Sequence, residues 1–192
     1  MGFDSLSDEA LMKRVCEREA DAFRVLYARY ESRIFNFVLR HVDNPGLAEE
    51  LLQETFWRVW QAARTFRGDK AQFKTWIYKV ALNAARSEMA RRSHQCEQSL
   101  PAQATWDQHG QFTSREAGPA ERLEQSEMAG LLSSALGALP SLYREVIGLK
   151  CIDGLRFSEI AAITGAPEGT LKARFHRGVA ELRRRLVARE KK

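Results

Sequence analysis

No apolar run in this 192-residue chain approaches the roughly 18 residues needed to span a membrane. The opening MGFDSLSDEA is acidic and has neither the basic nor the apolar segment of a secretory leader. Leu6 stands where N-myristoylation requires Ser or Thr. Cysteine is scarce: Cys16, Cys96 and Cys151 are widely separated and odd in number, which fits a reducing compartment without structural disulfides. The four histidines (His41, His94, His109, His176) are dispersed, and no Ser/His/Asp grouping, phosphate-binding loop or paired-carboxylate motif appears. His94 and Cys96 lie two residues apart, but no second ligand pair of suitable spacing completes a metal site. Strand patterning is missing too, since no segment alternates with period two for long enough to argue for a sheet. The absences point to a cytosolic, all-α protein that works by binding, with no membrane insertion, no cofactor and no enzyme chemistry.

What is present begins with charge. The net charge of +5 hides an uneven distribution. Residues 1–95 hold 16 Lys and Arg against 13 Asp and Glu, residues 96–140 hold 2 against 6, and residues 141–192 hold 12 against 6. Charge divided in this way predicts separate modules, at least one of them facing a polyanion.

Helical spacing fills the first module, residues 1–92. Ser7 and Asp8 can cap a first helix, and Leu11, Val15, Ala22, Phe23, Leu26 and Tyr30 keep the period, followed by Ile34, Phe35, Val38 and Leu39. The turn signal DNPG at Asp43–Gly46 precedes a helix from Leu47 to about Ala63, and FRGD at Phe66–Asp69 precedes another from about Ala71 to Arg92. Composition then shifts. Residues 93–125 are rich in Gln, Ser, Ala, Gly and Pro with isolated apolar residues, too few to offset the entropy of ordering, and read as a flexible linker. Periodicity returns near Ser126 and defines a second module, residues 126–192, small but sufficient for a helical domain.

The second module carries a layout with a mechanism. A helix at Ser141–Lys150 is followed by a short one at Ser158–Thr164, a turn at Gly165–Ala166 and a long basic helix. Short helix, glycine turn and basic helix form a helix-turn-helix. Ile160, Ala161 and Ile163 line the short helix, Leu171, Phe175, Val179, Leu182 and Leu186 form the stripe of the long one, and Pro167 suits its first position. Cys151, beside this motif, is assigned to the core. Lys172, Ala173, His176 and Arg177 then share a face, with Arg174 beside them. That half of a recognition helix enters the major groove, where Lys and Arg donate to guanine or to phosphate.

Two further faces stand out in the first module. On the helix after DNPG the core stripe is Ala48, Leu51, Leu52, Thr55, Val59 and Ala62; off it lie Glu50, Gln53, Glu54, Trp57 and Gln61. A tryptophan ringed by polar groups is a common interface anchor. On the next helix Phe73, Trp76, Ile77, Val80 and Ala84 form the stripe, and Lys74, Thr75, Tyr78, Lys79, Asn83 and Arg86 lie beside it. Aromatic, amide and cationic groups together suit single-stranded nucleic acid. A stand-alone repressor or activator would share the helix-turn-helix but leave both of these faces without a use.

The stretches LAEELLQETFWRVWQAARTFRGDKAQFKTWIYKVALNAARSEMARR and LPSLYREVIGLKCIDGLRFSEIAAITGAPEGTLKARFHRGVAELRRRL resemble the bacterial sigma-70 family, and the two-module layout resembles its extracytoplasmic-function (ECF) branch. The resemblance implies a sigma factor whose partners are core RNA polymerase, through its β′ coiled coil and β flap, and promoter DNA. It makes Glu50, Gln53, Glu54 and Trp57 contacts to the β′ coiled coil. The FRGD loop and the following helix, with Lys74, Tyr78, Lys79, Asn83 and Arg86, would capture and melt the −10 element, Asn83 lining a pocket for a flipped base. Lys172, Arg174, His176 and Arg177 would contact the −35 element. The linker would thread toward the RNA-exit path, and an anti-sigma factor would hold the protein inactive.

Overall fold

The structure, a computed structural model, describes residues 3–66, 68, 72–98, 132 and 134–190, with side chains as far as 93 and 187 in the two helices closing the longer stretches. Every regular element among these residues is helical. No helix among them is long and apolar enough to cross a membrane. By backbone proximity the described residues fall into two units, 3–98 with 158–166 and 132–157 with 167–190. Most of the segment read as a linker, His109 included, lies outside the described residues, as do the side chains of His94 and Cys96.

In the first unit α1 spans Asp8–Cys16, α2 Ala20–Val42, α3 Pro45–Gln61 and α4 Phe73–Gln98. Ser7 caps α1, its side chain accepting from the Ala10 amide at 3.2 Å. The DNPG turn divides its work by residue. Asp43 adopts a left-handed conformation (φ 51°) and its amide donates to the Leu39 carbonyl, which closes α2. Asn44 then opens α3, its side-chain oxygen accepting from the Leu47 amide at 2.9 Å, and Pro45 fills a position where the missing N–H costs nothing. α4 continues past Arg92 to Gln98, beyond the boundary expected from composition.

Helix α4 packs against α1, α2 and α3, so it is covered from several sides. Phe73, Ile77, Tyr78, Ala81, Leu82 and Ala85 are all fully buried. Edge-on aromatic pairs tie it to α2: Tyr30 to Phe73 at 5.2 Å and Phe37 to Tyr78 at 5.1 Å. Each large side chain buried here contributes about 1.5–3 kcal/mol. A polar tie reinforces the same corner. Arg29 donates to Asp8 at 2.7 Å and to the Asp4 carbonyl, and the Tyr30 hydroxyl donates to the Asp8 carboxylate. Burial, and then this bond, push the Tyr30 hydroxyl far above the usual phenol range.

In the second unit α5 spans Ser141–Ile147 and runs into a wider, π-type turn at Gly148–Ile152. The long helix, α7, spans Glu168–Glu190; between the two in the chain lies α6, Phe157–Thr164, whose residues from Ser158 onward are grouped with the first unit. Leu136, Leu139 and Ile147 form a small core with Phe175 and Leu182 against it. Helices α5 and α7 meet at Gly178, where an added Cβ would stand 2.9 Å from Ile147 Cδ1 and 3.0 Å from Tyr143 Cβ. At the end of α6, Gly165 takes φ 77° and donates to the Ala161 carbonyl, closing the helix as a glycine in the left-handed region does.

Two expected core positions are corrected here. Cys151 is exposed rather than buried. The π-type turn adds a residue to the helical repeat and rotates Cys151 and Ile152 outward, a shift that a 3.6-residue template does not carry. Val179 is 40% exposed, and its neighbour Gly178 is the buried contact. The close approach of α5 fixes which of the two turns inward.

Candidate functional surfaces

The acidic tryptophan face forms on α3 because Leu47, Ala48, Leu51, Leu52, Thr55, Phe56 and Val59 turn inward. Glu50, Gln53, Trp57 and Gln61 are exposed and Glu54 is half-exposed. Trp57 is 58% exposed, while Trp60 and Trp76 are half-buried. Trp60 takes a different role. Phe23 packs edge-on against its ring at 5.1 Å and the Arg18 guanidinium lies over it at 5.1 Å. Around Trp57 the carboxylate of Glu54 accepts from Arg58 Nε at 2.6 Å, so this face carries a cation that the sequence reading omitted. The i, i+4 spacing of Glu54 and Arg58 was the available signal.

On α4, Lys79, Asn83 and Arg86 are exposed at i, i+4 and i+7, which places them in one row. Lys74 is half-buried. Tyr78 is not on this surface. It is fully buried against Phe37, because α2 covers the flank of α4 that a one-stripe pattern leaves open. The aromatic that heads the row is Trp76, three residues before Lys79. It is half-buried, with the ring of Phe66 at 5.2 Å and that of Phe73 at 6.1 Å. Of the FRGD loop only Phe66 and Gly68 are described. Further along the helix, Arg91 and Arg92 both donate to Glu88, at 2.7–2.8 Å. Hydrogen bonds from Arg91, then Arg92, hold the Glu88 carboxyl at about 2, well below the usual carboxylate range.

Helix α7 buries Leu171 and Gly178 and half-buries Phe175 and Leu182. Its outer side then resolves into two adjacent rows with four-residue spacing. Glu168, Lys172 and His176 form one; Gly169, Ala173 and Arg177 form the other; all six are exposed. Arg174 is half-buried on the flank. The second row has a low floor at Gly169 and Ala173, and nothing lies within 4 Å of an added Cβ at Gly169. Phe157 packs edge-on against Phe175 at 5.7 Å, and its ring has the ammonium groups of Lys150 at 5.3 Å and Lys172 at 5.9 Å. Lys172 Nζ also lies 3.5 Å from Glu168 Oε2. Farther on, Arg184 and Arg185 pair with Glu181.

An exposed cationic helix face behind a glycine turn defines a DNA-binding protein of the helix-turn-helix class. Comparison with known proteins narrows that class. The family model for sigma-70 region 2 matches residues 26–95 and that for sigma-70 region 4 matches residues 129–182. The ECF RNA polymerase sigma-E factors of Salmonella typhimurium LT2 and Escherichia coli K12 are each 30% identical over 176 residues, 91% of this chain and 91% of theirs. The sigma-E factor of Haemophilus influenzae is 27% identical over 91% of this chain and 92% of its own. CnrH, solved in complex with the cytosolic domain of CnrY, superposes with a TM-score of 0.67 at 26% identity, covering 94% of this chain and 97% of CnrH. The Bartonella quintana sigma factor RpoE, solved with the anti-sigma factor NepR, shares the fold at a TM-score of 0.68 and 22% identity, over 85% of this chain and 96% of its own. The chain belongs to the sigma-70 family, in its ECF branch, and is a sigma factor that directs core RNA polymerase to promoters.

Proposed function

We propose that three exposed faces divide the work of this sigma factor. Glu50, Gln53, Glu54 and Trp57 on α3 dock on the β′ coiled coil of core polymerase, and the C-terminal module, residues 126–192, meets the β flap. The row Lys79, Asn83 and Arg86, with Lys74 at its start, takes the −10 strand as it unstacks; Trp76 supplies the aromatic edge first assigned to Tyr78. Lys172, Arg174, His176 and Arg177 meet the −35 duplex in the major groove. The protein acts as a binding and specificity subunit rather than a catalyst, and works in the cytoplasm, where core polymerase and promoters are. An anti-sigma factor controls it, as NepR is the anti-sigma partner of the Bartonella protein in that complex.

The observation that carries the docking assignment is Trp57, a large aromatic left 58% exposed between carboxylate and amide side chains. Such residues anchor interfaces, and truncating one typically costs 2 kcal/mol or more of binding, at least about thirtyfold in affinity. Trp57→Ala is the cleaner variant, because Glu54→Lys would also set two cations side by side at positions 54 and 58. The expected result is loss of competition for core polymerase with helical content unchanged. Wild-type competition by Trp57→Ala would remove this face from docking.

A further inference from the structure

Glu168 belongs to none of the roles above, yet it occupies the same exposed row as Lys172 and His176. An acidic side chain in the leading turn of a helix that faces a polyanion lowers attraction to every phosphate nearby. Within the fold it stands in the first turn of α7, where a carboxylate favours the helix dipole by only about 0.3–1 kcal/mol. Its recorded partner is Lys172, through a 3.5 Å contact between side chains that are 46% and 54% exposed. An exposed i, i+4 ion pair of this kind contributes only about 0.3–0.5 kcal/mol and opens readily. Lys172 has a second contact in the face of Phe157, so its ammonium keeps a partner within the protein when Glu168 leaves it.

We propose that Glu168 is a base-reading residue: its carboxylate accepts a hydrogen bond from the exocyclic amino group of a cytosine in the −35 major groove. This rests on the placement of α7 in that groove. Carboxylates are the side chains that accept from cytosine N4, whereas Lys and Arg donate to guanine O6 and N7. Glu168 and Lys172 are therefore a matched acceptor and donor about 6 Å apart along the helix axis, close to the rise of two base pairs. The glycine next to Glu168 adds to the case. Gly169 sits in the first turn of the helix, and no described residue comes within 4 Å of a Cβ added there, so no described contact requires it to be small. Its open space leaves room for the edge of a base beside the carboxylate. In free protein Lys172 neutralises Glu168; on DNA each exchanges the other for a base, and the repulsion between Glu168 and phosphate penalises sequences that offer no amino group at that step.

The test uses holoenzyme reconstituted with core polymerase and a promoter library randomised across the −35 element, with the bound fraction sequenced. Wild type is expected to enrich cytosine at one position of one strand. Glu168→Gln should lose that enrichment about tenfold and gain adenine at the same position, because an amide matches adenine N6 and N7. Guanine enrichment set by Lys172 and Arg177 should persist. Stronger binding to all sequences with an unchanged base profile would overturn the proposal and leave Glu168 as a source of repulsion only. If Lys172→Ala and Arg177→Ala also leave the profile unchanged, the placement of α7 in the groove fails, and Glu168 with it.

Discussion

At the scale of the residue, the exposed side chains are organised by charge partners that spacing alone makes visible. Glu54 with Arg58, Glu88 with Arg91 and Arg92, and Glu181 with Arg184 and Arg185 all sit three or four residues apart, the distances at which helix side chains meet. Glu88 is the most strongly affected. Its folded-state value of about 2 lies below the usual 4.5, so the stability it contributes is fully present above pH 4.5 and is lost as the pH falls toward 2. The arginine ends are more than half exposed, which limits the contribution to about 1 kcal/mol or less. Glu88→Gln should therefore flatten the decline in Tm between pH 4.5 and pH 2 relative to wild type. Parallel Tm profiles for the two proteins would show that the pair contributes nothing measurable.

At the scale of the element, ends and crossings decide which faces turn outward. Asp43 and Asn44 are adjacent, yet one terminates α2 through a left-handed backbone and the other starts α3 through its side chain. This junction sets the rotation of α3, and hence the side on which Trp57 emerges. The crossing of α5 and α7 at Gly178 does the same for the C-terminal helix. Gly178→Ala gains up to about 1 kcal/mol of helix propensity. It also forces a Cβ to within 3.0 Å of Tyr143 Cβ, an overpacking that typically costs about 1–3 kcal/mol. The expected outcome is a net loss of about 1 kcal/mol in denaturant unfolding, larger for Gly178→Val, with the −35 profile at Lys172 and Arg177 unchanged. A stabilised Gly178→Ala protein would mean that α5 moves aside freely.

At the scale of the whole molecule, the functional assignments ask one chain to meet DNA in two forms. The α4 row suits unstacked bases, and the α7 rows suit a duplex groove. A single amide–base hydrogen bond is worth about 1 kcal/mol net. Asn83→Ala should accordingly reduce permanganate reactivity of −10 thymines by about fivefold while leaving the choice of −35 sequence intact. Arg177→Ala should do the reverse, relaxing −35 choice while a −10 element opened in advance is held normally. Wild-type thymine reactivity in Asn83→Ala would take Asn83 out of melting.

The amino-acid order by itself determined the helices, the two modules, the glycine turn before α7 and the tryptophan among acids, because periodicity, caps and charge are local properties of the chain. It also carried the family, since two separate stretches hold its pattern in the right order. What only the tertiary structure decided is which side of a helix is covered when more than one neighbour packs on it. Tyr78 went to the core because α2 closes over a second flank of α4. Cys151 went to the surface because a π-type turn changes the helical repeat. Gly178 replaced Val179 as the inward residue because α5 approaches within contact of its backbone. In each case the deciding contact comes from a residue distant in sequence or from a local change in helical repeat, and a single-helix pattern contains neither.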